Sequence, residues 1–144
     1  TGIAEDILPV VEVIRQRCDA SAEVFFDVEH RTAMRRLLAR AARRDPAIFR
    51  RKASTDRAAA AIGWIIGRAN DTLGGDFLTT TVAEFLDWFG VKGSVSQRAE
   101  PFLRANGVNP HDSGHMMALG TPTLLTSQMR ASIIERRDDT LAGM

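Results

Sequence analysis

With one cysteine in 144 residues, Cys18, the chain has no internal disulfide to rely on, and a reducing, cytoplasmic setting is expected. Arg15, Arg17 and Asp19 surround it with charge, yet a spare buried thiol is the simpler reading. Long hydrophobic runs are missing as well. The longest, residues 58–66, is interrupted by Gly63 and falls well short of the roughly 20 apolar residues that a membrane-spanning helix needs. A basic leader is lacking, since the opening segment is acidic, so no signal peptide is expected. Thr1 is not an initiator residue, and a trimmed start is expected. Lysine is scarce, with Lys52 and Lys92 alone set against many Arg and Ala, a balance common in GC-rich bacterial genomes.

Signatures of catalysis are also missing. There is no HExxH, no CxxC, no Walker-type phosphate loop and no Gly-x-Ser-x-Gly elbow. His111 and His115 have the i, i+4 spacing that can hold a metal on a helix, but Pro110 and Gly114 oppose a helix there, so a surface pair is expected. Neither the serines nor Cys18 have a histidine at a readable spacing, which leaves His30 as a group that only the fold could bring close. No enzyme activity, no cofactor and no metal are expected.

What the chain does contain is helical pattern and segregated charge. At 44% apolar residues it suits one ordinary domain with a real core. Residues 1–30 hold seven acids against two bases, a balance of −5, and residues 31–57 hold ten bases against two acids, a balance of +8. Asymmetry of this kind points to an anionic partner for one part of the molecule. In order, a first helix is expected from about residue 4 to residue 18, with Asp6 as a cap, Pro9 near its first turn, and a break or bend at Asp19-Ala20-Ser21. Asp27 should cap a second helix over 28–44, whose buried stripe is Ala33, Met34, Leu37, Leu38 and Ala41. Arg31, Arg35, Arg36, Arg40, Arg43 and Arg44 take most of the remaining surface of that helix; they are either paired with the acids of residues 1–30 or available to grip phosphates. Asp45-Pro46 ends it, Ile48 and Phe49 tuck inward from a basic connector, and Ser54, Thr55 and Asp56 cluster as caps for an apolar central helix over 57–69. Gly63 and Gly67, four apart, imply a helix crossing close by.

Residues 79–104, TTTVAEFLDWFGVKGSVSQRAEPFLR, organise the rest. Threonines 79–81 can cap a helix over 82–89 with Val82, Phe85, Leu86 and Phe89 on one face, and Gly90 stands where a C-terminal cap belongs. A three-residue turn and a second helix should follow, with Ser94 as its N-cap and with Val95, Ala99, Phe102 and Leu103 facing inward. Ser96, Gln97, Arg98 and Arg104 are then left outside, residue types that bond base edges and phosphates. Helix, Gly turn and polar-faced helix make a helix-turn-helix. The 79–110 stretch is itself neutral, with Lys92, Arg98 and Arg104 set against Glu84, Asp87 and Glu100, so affinity for DNA depends on the basic helix lying on the same side.

Three segments, EHRTAMRRLLARAARRDPAIFR (29–50), AAAAIGWIIGRAN (58–70) and VAEFLDWFGVKGSVSQRA (82–99), resemble a bacterial domain family of uncharacterised function. Their order is also similar to the cyclin-like repeats of transcription factor B. That resemblance implies an all-α, cyclin-like bundle of about five to seven helices, with DNA contact carried by the helix around 94–104. The reading is therefore a helical bundle over 1–110, followed by a linker and a C-terminal helix in 111–144 that packs on the bundle or on a neighbouring chain. Its function is expected to be binding of duplex DNA, as in a transcriptional regulator, through Ser94, Ser96, Gln97, Arg98 and Arg104 with Arg35, Arg36, Arg40, Arg43 and Arg44 on phosphates. A homodimer is compatible with it. The alternative is a non-catalytic protein-interaction module.

Overall fold

A computed structural model describes residues 2–70, 72–74 and 80–108. His111, His115 and the expected C-terminal helix lie outside the described residues. Among the described residues the architecture is all-α, with a single isolated bridge between Leu73 and Thr80 and no named strand. None of these helices is long and apolar enough to cross a membrane.

A 3₁₀ turn at Glu5–Ile7 leads into α1, Leu8–Phe25. Pro9 sits in the first turn of α1, where its missing N–H would have had no intrahelical partner. Asp6 caps nothing. Its carboxylate instead accepts two hydrogen bonds from the Arg50 guanidinium, at 2.7 and 3.1 Å. The helix also runs straight through Asp19-Ala20-Ser21, where a break was expected. Both polar side chains there are satisfied without leaving the helix. Ser21 Oγ donates to the Cys18 carbonyl at 2.8 Å, and Asp19 accepts from Arg15 one turn back and from Arg35 on the next helix. Cys18 itself is buried as a free thiol, and burial pushes its pKa far up.

The second helix, α2, spans Val28–Arg44 with Asp27 as its cap, accepting from the His30 N–H at 2.9 Å. Its expected stripe is buried, together with His30 and Ala42. After Asp45-Pro46 a single turn, α3 at Ala47–Arg50, seats Ile48 and Phe49 in the core. Ser54 then caps α4, Thr55–Ala69, by accepting from the Arg57 N–H. Ten residues of α4 are buried, and α1, α2 and α6 all pack against it. It is the central helix.

Gly63 and Gly67 do mark close approach, but what lies against them is not a crossing backbone. A Cβ on Gly63 would stand 2.4 Å from the Phe85 ring, and one on Gly67 would stand 2.7 Å from the Leu73 side chain. Phe85 belongs to α5, Val82–Trp88, which is capped by Thr81. Its rings interlock with the end of α1: Phe25 and Phe85 centroids are 5.3 Å apart, and Phe25 and Trp88 are 5.9 Å apart. Gly90 follows at φ +70°, and the Val91 N–H returns to the Leu86 carbonyl at 3.0 Å, the closing bond of a Schellman cap.

The last described helix, α6 at Ser96–Ala105, docks on α4 and α2, with Phe102 edge-on to Phe49 of α3 at 5.9 Å. Pro101 lies inside it and removes the N–H that would have bonded the Gln97 carbonyl. Asn106 ends the helix by donating to the Phe102 and Leu37 carbonyls, which ties it to α2.

Candidate nucleic-acid interface

The two helices of the expected helix-turn-helix are joined by seven residues, 89–95, rather than three. The Gly90 cap closes α5 early, and Gly93, at φ +79°, turns the chain a second time before α6 begins. Arg57 of α4 fixes this link. Its guanidinium donates to the Lys92 carbonyl at 2.7 Å and to the Ser94 carbonyl at 3.1 Å. Each helix is therefore anchored to the bundle on its own, α5 through its aromatic face and α6 through Ala99, Phe102 and Leu103.

At the start of α6, Ser94 is not the N-cap that was expected: Val95 holds that position, one residue later, with no side-chain cap bond. The Ser94 hydroxyl instead accepts from the Ser96 N–H at 3.1 Å and shares a 2.9 Å hydrogen bond with the Ser96 hydroxyl. Ser96, Gln97 and Arg104 are exposed, as the helical period requires, and Arg104 reaches Glu100 at 3.4 Å. Arg98 departs from expectation. It lies half-buried, with its guanidinium over the Phe102 ring at 5.6 Å and its Nε buried without a hydrogen-bond partner among the described residues. Burial lowers its pKa, and the neighbouring charge of Arg51 lowers it further.

The arginines of α2 divide into two groups. Arg35 turns toward α1 and donates to both oxygens of Asp19, at 2.9 and 2.6 Å, so it belongs to an intramolecular network with Arg15 and Glu12 and not to a phosphate grip. Arg36, Arg40, Arg43 and Arg44 gather on the C-terminal half. Burial, and then the charges of Arg44, Arg36 and Arg43, lower the pKa of Arg40. Arg44 donates to the Ala105 carbonyl at 3.0 Å, which places this end of α2 against the negative end of the α6 dipole. The α6 helix thus has Arg44 at its end, and the charge of Arg51 acts on Arg98 in its first turn. Sequence reasoning did not single out Arg51 or Arg57, because nothing local shows which loop an arginine will meet.

His30 does meet partners through the fold. Its Nδ1 lies 2.7 Å from Asp27 Oδ1, its Nε2 lies 2.7 Å from Thr72 Oγ1, and its ring stacks on Phe26 at 4.6 Å. Thr72 Oγ1 also donates to the Gly67 carbonyl at 3.2 Å, so the group ties the α1–α2 corner to the end of α4 around the buried His30 ring. Cys18 stays apart, with its sulfur 3.9 Å from the Ala59 carbonyl. Among the described residues no three His, Cys, Asp or Glu side chains converge as a metal site would require.

No protein-family model matches this chain, and neither a curated protein nor a solved structure shows significant similarity to it.

Proposed function

We propose that this chain binds nucleic acid, duplex DNA in the first instance, through α6 and the arginines that flank it, in the manner of a transcriptional regulator. The observation that carries the reading is the placement of α6 between two sources of positive charge. Arg44 stands at its C-terminal end, where it donates to the Ala105 carbonyl, and the charge of Arg51 acts on Arg98 in its first turn. A 10-residue helix is roughly 15 Å long, so the two groups are spaced to contact separate phosphates along a duplex. Ser96 and Gln97, exposed on the first turn, are the residues offered to base edges. An apolar central α4 wrapped by the other helices also supports the cyclin-like reading.

The test is fluorescence anisotropy with a labelled random-sequence duplex at low salt, comparing the wild type with an Arg44→Glu/Arg104→Glu variant, both positions being exposed. Salt-sensitive binding that the variant loses supports the reading. Absence of wild-type binding at low salt ends it.

One observation favours the protein-interaction alternative. A groove of about 450 Å³ opens between α4, α5 and the 89–95 link, lined by Trp64, Val82, Leu86, Val91 and Val95 with Asp87 at its rim. It fits an apolar side chain of a partner helix that carries a basic neighbour for Asp87. Such a contact would change little between low and moderate salt, whereas phosphate contacts weaken steeply.

A further inference from the structure

Trp64, Val82 and Val91 pack against the core yet stay partly open to solvent, and with Leu86 and Val95 they wall the groove between α4, α5 and the 89–95 link. At about 450 Å³ the groove has room for apolar side chains from outside. Asp87 stands exposed at its rim, and among the described residues its carboxylate forms no ion pair. A groove that is apolar within and acidic at its edge calls for an amphipathic segment with a basic flank.

This chain carries such a segment. In residues 124–137, LLTSQMRASIIERR, Leu125, Met129 and Ile133 recur every four residues, the spacing of one helical face, and Arg130 follows Met129 on the flank of that stripe. Reach is not limiting. Val108, whose N–H bonds the Leu103 carbonyl at 2.9 Å, leads the chain away from the C-terminal end of α6. Val95 of the groove stands at the other end of that 10-residue helix, roughly 15 Å away. Residues 109–123 can span roughly 50 Å when extended. A tether of this kind holds its segment at an effective concentration of about millimolar, which favours docking within one chain over docking between two.

We infer that residues 124–137 occupy this groove in the same chain, with Leu125, Met129 and Ile133 against Trp64, Val82 and Val91 and with Arg130 beside Asp87. The inference is independent of the nucleic-acid reading. It takes the groove from the protein-interaction alternative, since a partner helix would first have to displace the chain's own segment.

The test uses the full chain, with Met methyl groups isotope-labelled and nuclear Overhauser contacts read to the Trp64 indole ring. Contacts from the Met129 methyl at low protein concentration are the expected result. They should vanish in a mixed sample of otherwise deuterated protein in which labelled Met and protonated Trp reside on different chains. Contacts that survive mixing would seat a second copy's segment in the groove and overturn the inference. Absence of any Met129 contact in the first sample would overturn it as well. Met129→Asp gives a second readout. The Trp64 indole N–H should exchange with solvent about tenfold faster in this variant, because a carboxylate is costly to bury in an apolar groove. Trp88, held among Phe25 and Phe89, should keep its wild-type rate. An unchanged Trp64 rate would count against the inference, and so would equal acceleration at both tryptophans.

Discussion

At the residue scale, the tightest constraint in the core is Gly63. The Phe85 ring it faces is fully buried, so a new methyl cannot be accommodated by a side chain swinging into solvent. Gly63→Ala gains roughly 1 kcal/mol of helix propensity, but overpacking of this kind costs about 1–3 kcal/mol. A net loss in the denaturant midpoint is expected, and an unchanged or higher midpoint would show that the α4–α5 contact is looser than described. The Asp27–His30 pair gives a second prediction. Burial pushes the Asp27 carboxyl up, but hydrogen bonds from the His30 ring and backbone outweigh it and leave the pKa below the usual carboxylate value. A folded pKa depressed in this way adds stability above the unfolded pKa, about 3.9, and that stability is lost as pH falls through the lower folded value. The carboxylate side chain is 59% exposed, so solvent screens much of the effect. Asp27→Asn should therefore flatten the acid limb of the stability profile below about pH 4 while leaving its dependence between pH 8 and 10 unchanged. An acid limb identical to wild type would remove Asp27 from the account.

At the element scale, α2, α4 and α5 were legible because their caps and buried stripes are local signals, and α6 from its buried stripe alone. Asp27, Ser54 and Thr81 all accept the N–H three residues on, as their residue types predict. The break expected at Asp19-Ala20-Ser21 was not found. Asp and Ser favour helix ends when their side chains compete for backbone groups, but here Arg15 and Arg35 occupy Asp19, and Ser21 bonds within the helix. The length of the 89–95 link was also illegible, because it depends on a long-range anchor, Arg57. Removing that anchor with Arg57→Ala should cost about 1 kcal/mol, since the hydrogen bonds lost are charge-assisted but exposed. Hydrogen exchange should quicken in the first turn of α6 while α1 and α2 keep their protection. Uniform loss of protection would mean that Arg57 supports the whole bundle instead of one link.

On the scale of the whole molecule, the charge segregation seen in the sequence is partly cancelled by folding. Asp19 takes Arg15 and Arg35, Asp6 takes Arg50, and Asp56 takes Arg17. Helical periodicity correctly placed Ser96, Gln97 and Arg104 on the outer face. Periodicity could not sort the arginines of α2, because which of them meet α1 depends on the register between two helices. Arg98 stands four residues before Phe102 on α6, so the helical period itself brings the two side chains together; what it could not show is the Phe49 ring of α3 packing on Phe102. The surface proposed to carry the function is smaller than composition implied, and it is centred on α6 with Arg44 at its end and the charge of Arg51 acting on its first turn. Backbone NMR shifts on addition of a short duplex at low salt test that claim most directly. Shifts concentrated at Ser96, Gln97, Arg98, Arg51 and Arg44, with Glu12, Glu23 and Trp64 unmoved, are the predicted result. Shifts centred on Trp64, Leu86 and Val91, or none on any residue, would contradict it.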